Sequence, residues 1–256
     1  MEQKLFIFAA NWKTQLTFKQ TLALCQQHAE GFIGLAQTKG AEIVLCPSYD
    51  ALYAVATMFE GTEVAIGAQN CSIYKTGAYT GEVLALSLAE LGCSYCIVGH
   101  SERRTYFKEG DLDVGLKVER LIEAGVEPIV CVGETKQEYE TQSTFAVLAR
   151  QLEPIFERLA AHTPQRNMRL CIAYEPVWAI GTGAVPHDLY MQEVFGWLDA
   201  RCKDNVPNGS YRLLYGGSVS PAHVAKIRAI AHINGLLIGG ASLDFQKFQN
   251  IVSLCC

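Results

Sequence analysis

The chain has 256 residues, half of them hydrophobic and 18% charged, with a formal net charge of −5. This is ordinary globular composition, and the length fits one large α/β barrel as well as two smaller domains. With a negative balance and no Lys/Arg run, non-specific binding to nucleic acid or to an anionic membrane is not expected, so an anionic substrate has to be caught by local groups.

No apolar stretch is long enough to span a membrane. The first ten residues carry Glu2 and Lys4 and lack the apolar core of a signal peptide, so a cytoplasmic protein is expected. Ten cysteines are spread along the chain, and Cys46, Cys96, Cys131 and Cys171 sit inside apolar runs. That suits buried thiols in a reducing compartment. Cys93 and Cys96 have redox or metal spacing but no second pair to complete a site. Cys255 and Cys256 end the chain and are expected at the surface.

Eight short apolar runs read as strands: residues 5–10, 42–46, 64–68, 95–98, 128–132, 170–174, 212–215 and 236–238. Helical patterns lie between them. Thr17 can cap a helix carrying Leu22, Cys25, His28, Ala29 and Phe32 on one side. Further helices are expected over 50–58, 111–123, 143–159 (with a kink or break at Pro154), 186–202 and 243–252. Ser220-Pro221 has the form of an N-cap followed by proline at the first helical position. Strands buried on both faces and alternating with helices predict a closed (β/α)8 barrel, one domain over residues 1–256. An open doubly wound sheet would more often carry a glycine-rich turn after its first strand, whereas Ala10-Asn11-Trp12-Lys13 has no glycine.

In such a barrel the functional residues stand at the C-terminal strand ends. There the chain offers Asn11 and Lys13, then His100, Ser101 and Glu102, then Glu175, then Gly216-Gly217-Ser218, and finally Gly239-Gly240. Glu175 ends a strand and is followed by Pro176, which cannot donate to a ladder. The apolar stretch that follows, closed by Gly181 and Gly183, has the composition of a lid over a water-excluded base. The two late glycine turns suit a phosphate, with Ser242 or Leu243 starting a helix behind them. If His100 opens a short helix, its imidazole is favoured neutral. Glu102, Arg103 and Arg104 are expected to form structural ion pairs.

The chain resembles the triosephosphate isomerases over nearly its whole length. The resemblance rests on Asn11-Trp12-Lys13, Ala68-Gln69-Asn70, residues 77–82, residues 98–104, Cys131-Val132-Gly133-Glu134, residues 173–183, residues 215–219 and residues 239–243, all in the family's order. It implies a (β/α)8 TIM barrel that interconverts dihydroxyacetone phosphate and glyceraldehyde 3-phosphate without cofactor or metal. It assigns proton abstraction to Glu175, carbonyl polarisation to His100, charge stabilisation and a phosphate contact to Lys13, and orientation of the substrate oxygens to Asn11. Gly181, Ser218, Gly239 and Gly240 would hold the phosphate, Ser101 would position Glu175, and Glu102 would support Lys13 and His100. The resemblance also implies a homodimer in which the loop from Asn70 to Glu82 enters the neighbouring subunit, with Thr80 at its tip and Tyr74 and Tyr79 in the interface. The chain departs from the family pattern at Ala10, at Thr14-Gln15 and at the far end of the lid. There Ala184-Val185-Pro186 reads as two residues shorter. The rival enzyme is a metal-dependent phosphosugar epimerase, for which no strand-end His/Asp cluster is present. A catalytically silent barrel would lack Glu175, His100 or Lys13, and all three are there.

Overall fold

The computed structural model describes residues 5–161, 169–183, 185–206 and 211–256. Eight parallel strands run in chain order and close on themselves: β1 (Phe6–Asn11), β2 (Ala41–Cys46), β3 (Ala65–Ala68), β4 (Tyr95–Val98), β5 (Glu127–Val132), β6 (Leu170–Tyr174), β7 (Tyr211–Tyr215) and β8 (Ile233–Ile238). β8 returns to pair with β1, so the expected closed barrel is the observed one. The open sheet is ruled out by that pairing.

Alternation along each strand divides two cores. Ile7, Ala9, Val44, Cys46, Ile97, Ile129, Cys131, Cys171, Ala173, Leu214 and Leu237 fill the barrel interior. Their neighbours, such as Phe8, Ile43, Val130 and Ile172, face the surrounding helices. The same parity carries past the strand ends. Asn11 follows Ala9 by two residues, and Glu175 follows Ala173 by two, so both point into the barrel mouth.

The opposite end of the barrel is plugged by charge. Arg212 Nη1 donates to Glu42 Oε2 at 2.6 Å, and its Nη2 donates to Glu127 Oε1 and Tyr95 Oη at 2.7 Å each. The network is satisfied on every side, as buried ions require.

Helices cover the outside: α1 (Phe18–Ala36), α2 (Tyr49–Met58), α3 (Ala85–Glu90), α4 (Ser101–Tyr106), α5 (Asp111–Ala124), α6 (Lys136–Glu140), α7 (Thr144–Ala161), α8 (Asp188–Asn205), α9 (Val224–Ala229) and α10 (Phe245–Ser253). Thr17 caps α1 in a capping box with Gln20. Three expectations need correction. Helix α7 runs through Pro154 without a break; Gly115 of α5 lies so close that a Cβ there would come within 2.9 Å of the Pro154 carbonyl oxygen. Ser220 does not cap a helix directly: residues 221–223 form a turn, and α9 starts only at Val224. The helix behind β8 starts at neither Ser242 nor Leu243. A short 3-10 turn, Gly240–Leu243, comes first, and Asp244 then caps α10 through the Lys247 N–H.

Strand β8 begins three residues before its apolar run, at Ile233, because Gly235 belongs to it. A Cβ on Gly235 would press on the backbone of Ile7 across the closing seam, so the seam takes a residue with no side chain. No helix among the described residues is long and apolar enough to cross a membrane. Ala184 in the far part of the lid lies outside the described residues, and so does the expected shortening that involves it.

The ends of β5 and β6 are tied backbone to backbone. Glu175 N donates to Val132 O at 2.8 Å, and Gln151 exchanges two hydrogen bonds with the Gly133 backbone. A Cβ at Gly133 would overlap the Glu175 carbonyl. Gly133→Ala is therefore expected to destabilise the fold by at least about 3 kcal/mol. Urea unfolding measures this, and a variant with unchanged midpoint would show that the two strand ends can separate freely.

Candidate active site

The C-terminal mouth of the barrel opens into a cavity of about 370 Å³ lined by Asn11, Lys13, His100 and Glu175 on one side and by the two glycine turns on the other. Glu175 is 2% exposed. Its Oε2 accepts the Ser101 backbone N–H at 3.0 Å, and its Oε1 lies 3.2 Å from His100 Nε2. Ser101 thus reaches Glu175 through its main chain. That N–H is free because Ser101 is the first residue of α4, whose opening donors have no partner inside the helix.

His100 is the N-cap of α4, and its Nδ1 accepts the Glu102 N–H at 3.2 Å. A ring nitrogen that accepts carries no proton, so the imidazole is neutral with its proton on Nε2, aimed at Glu175. The expected short helix behind His100 is present.

Lys13 has φ of 52°, a left-handed conformation rare outside glycine. Three contacts hold it there. Asn11 Oδ1 accepts its N–H at 3.1 Å, Gln69 Nε2 donates to its carbonyl at 2.8 Å, and its Nζ meets Glu102 Oε1 at 2.6 Å. Strain maintained by surrounding contacts is characteristic of functional positions. Glu102 Oε2 is also 3.5 Å from His100 Nδ1, so it touches both residues. Arg103 pairs with Glu109 and Arg104 with Asp111, as structural ion pairs.

The apolar stretch after Glu175 is better ordered than a plain loop. Val177–Ala179 forms a 3-10 turn. It is fastened by Glu134, a fully buried carboxylate that accepts Trp178 Nε1 at 2.7 Å and the hydroxyls of Tyr174 and Tyr190 at 3.1 Å. Burial raises the Glu134 pKa, and these donors oppose the rise. Across the mouth, Ser218 Oγ donates to Ala179 O at 2.6 Å and accepts Gly183 N at 3.3 Å. Gly181, Ser218, Gly239 and Gly240 all line the cavity, together with His223 and Gln15.

In the sequence Glu134 stands only as part of a family motif with no task of its own, and His223 carries no signal. Glu134 follows a strand and could have been noticed for that. His223 has no strand-end position, and only the turn at 221–223 brings it over the mouth. The helix α6 carried a readable sign, the capping box of Thr135 with Glu138.

The cysteines are unpaired, and burial pushes the Cys93 thiol up to about 11 and Cys96 well above its usual range. They pack as apolar groups, not as a redox pair. Cys255 is half-buried rather than exposed, while Cys256 is exposed. Among the described residues no group of three or more His, Cys, Asp or Glu side chains is placed to hold a metal.

The loop beyond β3 is tied to α5 by Arg120 Nε donating to Ile73 O at 3.3 Å and by the Lys75–Glu123 pair at 2.9 Å. Ser72 N bonds Val83 O at 2.8 Å across its base, and the Tyr74 and Tyr79 rings stack with centroids 3.4 Å apart while staying about two-fifths exposed. Thr80 is exposed at the tip.

The triosephosphate isomerase family model matches residues 6–255. A triosephosphate isomerase of Aquifex aeolicus is 40% identical over 254 residues, covering 96% of this chain and 98% of the relative. One from Cupriavidus taiwanensis is 41% identical over 253 residues, covering 98% and 99%. The crystal structure of triosephosphate isomerase from Bartonella henselae superposes with a TM-score of 0.82 at 33% identity, covering 97% of this chain and 98% of that one. The barrel, the order of the strand-end residues and these relatives agree, and the chain belongs to the triosephosphate isomerase family.

Proposed function

We propose that Glu175 is the base that moves a proton between adjacent carbons of a triose phosphate. Family membership carries the reaction itself: interconversion of dihydroxyacetone phosphate and glyceraldehyde 3-phosphate, an isomerase step of glycolysis. The observation that supports the assignment is a buried carboxylate facing, at 3.2 Å, a neutral imidazole inside a cavity flanked by one lysine and two glycine turns.

In this reading the substrate displaces the Glu175–His100 contact. Glu175 leaves the Ser101 N–H and removes a proton from the carbon beside the carbonyl. The C–H electron pair becomes the C=C bond of an enediolate, and the carbonyl π pair moves to oxygen. His100 Nε2–H donates to that oxygen, and Lys13 Nζ stabilises the developing charge, each in a site where a preorganised donor is worth about 100- to 1000-fold in rate. Asn11 orients the substrate oxygens. Return of the proton from Glu175 to the neighbouring carbon, with His100 shifting a proton between the two oxygens, gives the other triose. Protons balance, and no electron acceptor is required.

The phosphate is assigned to the backbone N–H groups of Gly181, Ser218, Gly239 and Gly240. Glu102 would hold Lys13 and His100 in place through the contacts described. The 3-10 turn at Val177–Ala179, fastened to Glu134, is the near hinge of a lid that keeps water from the enediolate. The ten unpaired cysteines suit a cytoplasmic setting.

A coupled assay on glyceraldehyde 3-phosphate tests the reading. The wild-type chain is expected to turn over equally with and without chelator. Glu175→Gln should lower kcat by about a thousandfold or more, as loss of a general base does. Its unfolding midpoint should fall only modestly, since the amide keeps the shape and one acceptor and gives up one hydrogen bond, worth about 1 kcal/mol. Near-normal turnover by the variant would remove Glu175 as the base, and chelator-sensitive turnover would favour a metal-dependent epimerase.

We also propose a homodimer built on the loop from Asn70 to Glu82, with Thr80 reaching the partner's cavity mouth. The exposed Tyr74–Tyr79 stack supports this, because paired aromatics left in water are typical of interface cores. Sedimentation at micromolar concentration should give one species at twice the chain mass. A monomer would refute the role given to the loop.

A further inference from the structure

The cavity holds a second imidazole to which none of the chemistry above assigns a task. His223 lines it together with Gly217, Ser218, Gly239 and Gly240. Its Nδ1 lies 3.1 Å from Ser220 Oγ, and Ser220 lines the same cavity. The turn at 221–223, closed by hydrogen bonds from His223 and Val224 to the Ser220 carbonyl, holds the two side chains together.

We propose that His223 is a pH-responsive anion-binding residue at the phosphate end of this pocket, the ligand being the dianionic phosphate of the substrate. The proposal rests on the isomerase reading for the identity of that ligand, but not for the presence of the site. In the protonated ring, Nδ1–H donates to Ser220 Oγ, and Nε2–H is left for an anion. Imidazole is the side chain that gains charge within the physiological range. Proton uptake therefore adds a second cation to a cavity that Lys13 already lines, its Cε lying 3.6 Å from where a Cβ on Gly239 would stand.

The other charged groups around it are already engaged. Lys13 is paired with Glu102, and His100 is held between Glu175 and the Glu102 N–H. On α9 itself, Lys226 is exposed, and Arg228 lies over the Phe6 ring at 4.8 Å. The sign follows. An anion favours the protonated ring, so binding strengthens as pH falls through the imidazole range and weakens as pH rises.

The substrate is a poor probe because its phosphate loses its own dianion near pH 6. Sulfate stays a dianion throughout, and calorimetry reads its binding without turnover. Wild-type protein should bind sulfate about five- to tenfold more tightly at about pH 5.5 than at about pH 8, close to the coupling of one pKa unit. His223→Gln should bind it weakly and equally at both. His223→Lys should bind it tightly at both, which separates loss of charge from loss of fold. If His223→Gln keeps the wild-type pH dependence, or if the wild type shows none, the proposal is overturned. A protein that binds sulfate in this way but lacks turnover would sink the isomerase reading alone. An active enzyme with pH-independent sulfate affinity would sink this one alone.

Discussion

Burying the Glu175 carboxylate costs several kcal/mol unless donors meet it, and the barrel supplies two from a single segment. Ser101 gives a backbone N–H at 3.0 Å and His100 gives Nε2–H at 3.2 Å. Both donors exist because a helix starts there. The first N–H groups of α4 have no partners within it, so one is free for Glu175 and another binds His100 Nδ1, fixing the tautomer. The clamp thus positions Glu175 and sets the tautomer of His100 with the same turn of chain. The imidazole proton is also the one that a substrate oxygen would need, so that contact would be replaced rather than lost when substrate enters.

The two ends of the barrel treat charge differently. At the closed end, Arg212 is surrounded by Glu42, Glu127 and Tyr95, and both of its Nη atoms meet fixed partners. At the open end, Lys13 has one carboxylate and a strained backbone, and the glycine turns line the cavity. One arrangement stabilises the fold, and the other leaves favourable interactions for an incoming anion. The contrast explains how a chain with net charge −5 can take an anionic substrate: the capturing field is local.

The strands were legible because strands buried on both faces make continuous apolar runs, and Asn11 and Glu175 were legible because strand parity carries their direction. Gly235 hid the start of β8, since a seam glycine carries no hydrophobic signal. Pro154 misled in the other direction: its ring loses one helix hydrogen bond, and packing against Gly115 holds the helix on course. The contacts of Glu134 and His223 were not legible for a common reason. Each acts across distances of many residues, Glu134 on Trp178 and His223 over the glycine turns, and only tertiary packing creates those meetings. The family motifs named the side chains that meet at the barrel mouth, whereas the contact of the Ser101 main chain with Glu175 could be seen only in three dimensions.

The central claim is that one carboxylate carries a proton between neighbouring carbons. Isomerisation in deuterated water, run to equilibrium and read by NMR, tests it most directly. A proton resting on Glu175 exchanges with solvent during repeated turnovers, so both trioses should gain deuterium at the carbons that exchange it. Equilibrated trioses free of deuterium would mean that hydrogen passes directly from carbon to carbon, and Glu175 would not be the base.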